Sequence, residues 1–468
     1  MKIAVIGGGP GGLYFAILTK KRMPNAEIHI YEQNKANDAF GFGVVFSDET
    51  LSEFLSYDER SYELIRNSFA YWDDLDVARD GEIVRIKGNG FCGCSRKTLL
   101  LLLQQRCNEE NVHMHFETAI GDLSELSDFD IIVAADGIGS NIRQTYAKEF
   151  GTEVKMMSNR FMWCGSTKPL DAFTYFFRST PKGTFCAHSY QYEEGKSTWI
   201  FECTDETYKN FGFEEQNEAD SIAKIKEIFK EELDGHDLIT NRSWWRQFPH
   251  VYNKNWNYKN IVLLGDSKAT AHYSIGSGTK LAMDSAIGLS DAIVANPNDV
   301  QKAFEQYTAT RRNAVDMIQY AADVSLQWFE NMDRHMKLDF DTFSFSTMSR
   351  SKKITIENQA RRDKGYADRI IQNFNRREGS SDLNTPPAFT PFKIGNVALS
   401  NRIVMSSMGQ YKSIDGVAGE WDFVHYATRA VGGAGLIFTG ATAISPTARI
   451  SPNCYGIWKI ILIRNRVC

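Results

Sequence analysis

Three glycines near the amino terminus, Gly7, Gly9 and Gly12, are spaced G-x-G-x-x-G, a pattern that suits the pyrophosphate of a dinucleotide. Gly7 permits a tight turn, Gly9 has no side chain to hold off the phosphates, and Gly12 lets a helix pack closely on a strand. The phosphates then rest on free N–H groups at a helix N-terminus. Glu32, twenty residues past Gly12, is an acidic side chain able to accept hydrogen bonds from adenosine ribose hydroxyls. Two further carboxylates sit beside glycines. One is Asp136-Gly137, with Ser140 and Arg143 behind it; the other is Gly265-Asp266, followed by Gly276 and Gly278. Arg96 opens a helical run and reads either as a contact to a polar cofactor group or as an exposed helix-end arginine. His272, six places after Asp266, titrates near neutrality and suits a proton relay; a hydrogen-bonded structural role is the other reading.

These residues need strands and helices to bring them together, and the hydrophobic pattern supplies them. Apolar runs at 3–6, 28–31, 129–135 and 260–264 have the look of buried parallel strands, and three of them deliver Gly or Asp to the carboxyl edge of a sheet. Helical patterns follow at 13–21, 99–107 and 280–295. Segment 39–51, AFGFGVVFSDETL, carries two glycines in an apolar stretch and so can pass close to a ligand; Val44 within it is expected on the cofactor. From about 155 to 256 the character changes to alternating runs rich in Phe, Tyr, Trp, Thr and Val, parted by turn signals, which predicts an antiparallel sheet inserted into the α/β domain. On one of its strands His188, Tyr190 and Tyr192 share a face and either line a substrate pocket or pack in a core. Tyr273 offers the same choice between stacking in a pocket and packing. Trp244-Trp245-Arg246 reads as a docking point for an acyl-CoA or nucleotide, or as a surface strand. Helices at 300–336 and 356–374 close the unit, and 376–387 reads as a linker.

The chain has 468 residues, a net charge of −5 and eight scattered cysteines. That balance gives no sign of nucleic acid or an anionic membrane, and no apolar run has bilayer length. The fingerprint starts too near residue 1 for a targeting peptide, so a cytoplasmic protein with reduced thiols is expected. Cys92-x-Cys94 lacks the spacer of a zinc or redox motif, and no metal site is expected. A homo-oligomer is left open.

Together these residues resemble the class A flavoprotein aromatic hydroxylases of the p-hydroxybenzoate hydroxylase fold. In that resemblance Gly7, Gly9, Gly12 and Glu32 match the FAD fingerprint, and Arg96 matches an arginine at the ribityl and pyrophosphate region. Asp136, Gly137, Ser140 and Arg143 match a second motif. Gly265 and Asp266 match the flavin-ribose motif, and Gly276 and Gly278 match glycines beside the isoalloxazine ring. Ala269, Tyr273 and Lys280 stand where the family usually has His, Pro and Asn. GFGVVFSDETL and TAHYSIGSGTKLAM are similar to the monooxygenase half of salicylyl-CoA 5-hydroxylase and anthraniloyl-CoA monooxygenase/reductase, and also to the violacein-pathway indole hydroxylase. Residues 388–458, with LSNRIVMSSMGQY, resemble the start of an Old Yellow Enzyme-type FMN barrel, which favours the acyl-CoA members.

The resemblance implies an FAD monooxygenase over 1–375 that consumes NAD(P)H and O2 and passes OH from a C4a-hydroperoxyflavin to an activated aromatic ring, on an acyl-CoA thioester. An indole hydroxylase and a flavin-binding remnant without turnover are the alternatives. The barrel segment has only an opening, with a strand at 402–406, a helix at 421–431 and a strand at 435–439. Met408 and Gly409 match the stretch along FMN, yet a (β/α)8 barrel needs about 250 residues. The expectation is therefore a Rossmann-type α/β domain with an inserted β sheet, followed by an incomplete (β/α)8 fragment that binds no FMN. Residues 459–468 read as an unrelated tail, as a frameshift would produce.

Overall fold

The computed structural model describes residues 1–458; the expected change of character over 459–468 lies outside the described residues. Two compact units divide the chain, Met1–Asp363 and Lys364–Cys468.

In the first unit Lys2–Ile6 pairs in parallel with Glu27–Tyr31 on one side and Ile131–Ala134 on the other. Ile261–Leu263 extends the sheet past Ile131–Ala134, and His113–His115 extends it past Glu27–Tyr31. Asn257–Tyr258 closes one edge antiparallel. Both faces are covered, so the central strands are unbroken apolar runs: Ile3, Ala4, Val5, Ile131, Val133 and Ala134 are fully buried. The turn out of the first strand passes through Gly7 at φ +110°, where a Cβ would lie 2.3 Å from the Ala135 carbonyl oxygen. Helix Pro10–Arg22 follows and is buried from Pro10 through Thr19, which is why it has no polar stripe. It packs on helix Gly278–Ala295, where the Thr19 hydroxyl donates to Ser290 Oγ at 2.9 Å.

The inserted sheet has eight strands. Thr152–Ser166 is long enough to pair with Arg246–Asn253 along its first half and with Lys196–Cys203 and Leu238–Ile239 along its second. Gly183–Glu193 and Phe173–Thr180 continue the antiparallel order. Leu75–Arg79 then adds in parallel to Phe173–Thr180, with Glu82–Ile86 at the edge. The expectation of a purely antiparallel sheet is corrected here. Leu75–Arg79 joins a partner almost a hundred residues away, and Arg85 pins the junction by donating to Asp76 at 2.8 and 2.9 Å and to Asp171 at 2.8 and 3.0 Å.

Alternation gives this sheet two distinct faces. Met162, Cys164, Phe185, Ala187, Trp199, Phe201 and Cys203 point to one side, into a core capped by Phe213, Ile225 and Phe229 from the helical insertion. Their neighbours in sequence point to the opposite side, where Tyr175 and Phe177 meet Phe329 of helix Val300–Glu330. A small third sheet of Gly43–Phe46, Phe91–Ser95 and Ala70–Trp72 leads directly into helix Arg96–Glu109, capped by Ser95.

The helix expected over 356–374 is two helices, Ile356–Arg362 and Lys364–Arg377. Asp363 breaks it with φ −141° and ψ 88°, while its carboxylate accepts the Lys87 N–H at 3.0 Å. In the second unit Phe392–Ile394 and Val397–Leu399 form a hairpin, Val404–Met405 pairs in parallel with Leu436–Ile437, and helix Glu420–Val431 lies between those two strands in sequence. Both parallel strands are shorter than expected. Among the described residues no helix is long and apolar enough to cross a membrane, and the seven cysteines are free and buried.

Gly7→Ala should lower thermal stability markedly, since strain at this backbone angle alone costs about 1 to 3 kcal/mol before the overlap with Ala135 is counted. A thermal melt unchanged from the parent would show that the turn relaxes freely.

Candidate active site

The carboxyl ends of the parallel strands Ile131–Ala134 and Ile261–Leu263 are tied to one another. Ser267 Oγ, fully buried, donates to Ala134 O at 2.5 Å, and Arg143 donates to Ser267 O at 3.2 Å and to Ile138 O at 2.6 Å. Glu32 closes the same edge: its carboxylate accepts from the backbone N–H of Gly8 and of Asn34, each at 2.8 Å. The glycine fingerprint, Glu32, Asp136-Gly137 and Gly265-Asp266 are thereby gathered along one rim, as open α/β sheets require of a ligand crevice.

Beyond that rim lies a cavity of ≈520 Å³, within the range of small-molecule sites. Gly43, Val44 and Val45 form one wall, and Trp163, Tyr175, His188 and Tyr190 from the large sheet form another. Arg96, Asp266, Tyr273, Gly276 and Gly278 also face into it, as do Arg246 and Arg350. Asp266 keeps solvent-accessible area although protein surrounds it, as expected in a concave site; burial raises its pKa, opposed by Arg96 and Arg143. The Arg96 side chain has no hydrogen-bond partner among the described residues, and burial lowers its pKa.

Other expected residues fall elsewhere. Tyr192 packs with Phe42 and Trp72 and does not line the cavity. His272 is buried outside the lining, with Nδ1 2.9 Å from Ser274 Oγ, which in turn meets Ser325 Oγ at 2.8 Å. Burial lowers its pKa to about 4, so it is neutral at pH 7 and holds a loop in place. The structural reading of His272 fits this geometry and the relay reading does not. Lys280, at the family's asparagine position, pairs with Glu53 at 3.3 Å and Asp284 at 3.1 Å.

Three residues in or behind the cavity wall carry no sequence signal. Trp163 was hidden in an alternating strand. Glu202 is a fully buried carboxylate in the run KSTWIFEC, bonded to His188 Nε2 at 2.9 Å. Arg350 follows helix Phe340–Ser349 and donates to Ser274 O at 2.5 Å, to Ser325 Oγ at 3.0 Å and to the Tyr175 hydroxyl, with no carboxylate in ion-pair reach among the described residues.

The residues fit a flavin dinucleotide. A Cβ on Gly9, Gly137, Gly139 or Gly278 would meet nothing within 4 Å, so open space borders the rim where phosphates and a flat ring need it. Asp136 Oδ1 is buried without a partner, and Arg96 offers an unused guanidinium fork.

Comparison with known proteins agrees. A family model for an FAD binding domain matches residues 110–321, and one for the NADH:flavin oxidoreductase / NADH oxidase family matches 387–465, past Trp458 where the resemblance was expected to end. Salicyloyl-CoA 5-hydroxylase of a Streptomyces species is 36% identical over 405 residues, covering 84% of this chain and 78% of that protein. The chain belongs to the FAD-dependent aromatic monooxygenases. The 3-hydroxy-4-methyl-anthranilyl-aryl-carrier-protein 5-monooxygenase of Streptosporangium sibiricum is 33% identical over 332 residues, covering 71% of the chain and 90% of that protein. Among solved structures, the Pseudomonas aeruginosa FAD-dependent monooxygenase PqsL superposes with a TM-score of 0.56 at 17% identity, over 71% of this chain and 98% of its own, which shows the shared fold. FAD, when bound, would supply the redox chemistry that activates O2.

Gly9 provides a test that separates binding from folding. Because a side chain there has free space, Gly9→Val should melt as the parent does while losing FAD by at least tenfold in affinity. Retained FAD in a folded Gly9→Val protein would move the pyrophosphate off this turn.

Proposed function

We propose that this monooxygenase hydroxylates an aromatic acid held as a thioester, with coenzyme A as the carrier. The observation that supports the reading is a cationic aromatic ledge beside the cavity. Phe40 and Trp244 are 38% and 53% exposed; Arg242 lies 4.3 Å over the Phe40 ring and Arg246 lies 5.6 Å from the Trp244 ring. Arg246 also lines the cavity and donates to Arg242 O at 3.0 Å, while Asn241 Nδ2 ties the ledge to Ala39 O at 3.0 Å. Neither arginine has a carboxylate in ion-pair reach among the described residues. Exposed rings and uncompensated guanidinium groups suit the adenine and phosphates of a coenzyme A tail that leaves the pocket. Trp245 turns away and packs on Phe213 at 4.9 Å.

Inside, the chain's own side chains orient the ring and keep water out. Tyr190 is locked by its hydroxyl donating to Gly43 O at 2.9 Å and by stacking on Phe173 at 5.6 Å. Val44 and Gly278 lie on the flavin side, and Tyr273, His188 and Tyr190 on the substrate side. The thiols and the nicotinamide requirement support a cytoplasmic enzyme.

The FAD-loaded protein should oxidise NADH or NADPH at least tenfold faster with salicyloyl-CoA or anthraniloyl-CoA than with the free acids or with tryptophan-derived indoles. Arg246→Ala should raise KM for the thioester about tenfold, equivalent to about 1.4 kcal/mol, and leave kcat in place. Equal rates with free acids or indoles would overturn the thioester reading.

We also propose that residues 387–458 hold no FMN. Their parallel sheet is one pair of two-residue strands, and Met408, expected along the flavin, is 42% exposed. Acid extraction should release FAD alone; stoichiometric FMN beside it would refute this.

A further inference from the structure

One fully buried imidazole–carboxylate pair stands at the cavity wall and shares none of the rim hydrogen bonds described above. His188 lines the cavity and is 2% exposed; Glu202, on the adjacent strand, is 0% exposed. In the register His188 stands opposite Ile200, so Glu202 is its diagonal neighbour on the same face. His188 Nε2 lies 2.9 Å from Glu202 Oε2, and Asn159 Nδ2 donates to Glu202 Oε1 at 2.8 Å. The other ring nitrogen, Nδ1, has no partner among the described residues. A carboxylate acceptor at Nε2 requires that nitrogen to carry the hydrogen, which leaves Nδ1 with a free lone pair. A buried carboxylate costs several kcal/mol to desolvate, so the imidazole hydrogen-bonded to it stands where a positive charge would be stabilised.

Resting on the reading of the pocket given above, we propose that His188 is the catalytic base that takes the proton from the hydroxyl or amino substituent of the aromatic ring, with Glu202 as its positioning residue. The substituent O–H or N–H bond breaks and a bond from that proton to Nδ1 forms. The electron pair stays on the substituent and flows into the ring, raising its nucleophilicity toward the activated oxygen. Nε2–H remains donated to Glu202, whose negative charge steadies the imidazolium. The hydroxylated carbon then releases its hydrogen as a proton to water, its C–H electron pair returning to the ring to restore aromaticity; Nδ1 returns its own proton to the substituent and the histidine is neutral again.

The surroundings agree. Burial lowers the His188 pKa and Glu202 opposes that shift, so the ring starts neutral and able to accept. Burial would raise the Glu202 pKa, but His188 and His272 hold it below the usual carboxylate value. From the neighbouring strand comes Tyr175, 5.2 Å from the imidazole, with its pKa pushed up to about 12 by burial. From the turn Tyr273–Ile275 comes Tyr273, at 5.4 Å, also held protonated by burial and by Glu202. Arg350 adds a fixed positive charge that disfavours the imidazolium and favours an anionic substituent. Phe329, from helix Val300–Glu330, is uncharged and covers the remaining side at 4.7 Å. Neither tyrosine can serve as the base near neutrality, which leaves His188.

The test uses the FAD-loaded full chain and salicyloyl-CoA. In the parent, the phenolate absorption of bound salicyloyl-CoA should appear at least one pH unit lower than in His188→Gln. At pH 7 His188→Gln should lose about 100-fold in kcat with KM within threefold, and kcat should recover as pH rises and the phenol ionises unaided. Glu202→Gln should show the same pH-dependent loss at about tenfold, and Glu202→Asp should restore most of it. A loss independent of pH, an unchanged kcat, or coincident phenolate titrations would overturn the proposal. If His188→Gln fails to fold, the Glu202 pair decides by the same criteria. If the parent does not hydroxylate salicyloyl-CoA, the thioester reading fails; the kcat comparison is then made with whichever aromatic substrate the parent accepts, and equal rates in parent and variants would refute the base.

Discussion

The cofactor rim depends on one close approach between two strand ends. The turn at Gly7 passes so near the Ala135 carbonyl that a methyl group has no place, and Gly12 backs onto the Gly7 carbonyl with a Cβ position only 2.4 Å away. Such an approach is open only to glycine. Its effect reaches well beyond the turn: once the first and fourth parallel strands end side by side, Glu32, Asp136 and Asp266 are delivered to one edge, and the Ser267 and Arg143 hydrogen bonds fasten that edge together. Every site residue contributed by the Rossmann-type sheet inherits its position from this contact.

The inserted sheet supplies what the first lacks. A Rossmann edge binds a cofactor but offers no enclosed space for a substrate. The long strand Thr152–Ser166 holds Arg246–Asn253 on one stretch and Lys196–Cys203 on another, so the strand that carries Arg246 and the wall that carries His188 and Ile200 are joined through a single backbone. Arg350 reaches the same cavity from a helix far later in the chain, and it is held there by neutral acceptors. Its charge is therefore spent on the cavity and not on a protein carboxylate.

The parts of the site legible in the amino-acid sequence were those set by local rules. Unbroken apolar runs followed by Gly or Asp identify parallel strands and their binding ends, because burial on both faces and a tight turn each leave a mark within a few residues. Parts set by pairing across the chain were not legible. Nothing in LDVAR announces that Leu75–Arg79 joins Phe173–Thr180, and nothing in WIFEC tells that Glu202 meets His188. Register between strands decides both. His272 shows the reverse case: its place near Asp266 suggested chemistry, but the loop folds so that its ring lies behind Tyr273, 4.0 Å away, among hydroxyls and Phe248.

The two faces of the inserted sheet bear on how this family diversifies. Along Gly183–Glu193 and Lys196–Cys203, residues that line the cavity, His188, Tyr190 and Ile200, share the strands with residues that hold the helical cap, Phe185, Ala187, Trp199 and Phe201. Exchanging Ile200 or Tyr190 reshapes the pocket while Trp199, Phe201 and Ala187 keep their own contacts. Evolution can thus alter which ring is accepted without drawing on the stability of the sheet, and relatives acting on quite different aromatic compounds can share one scaffold.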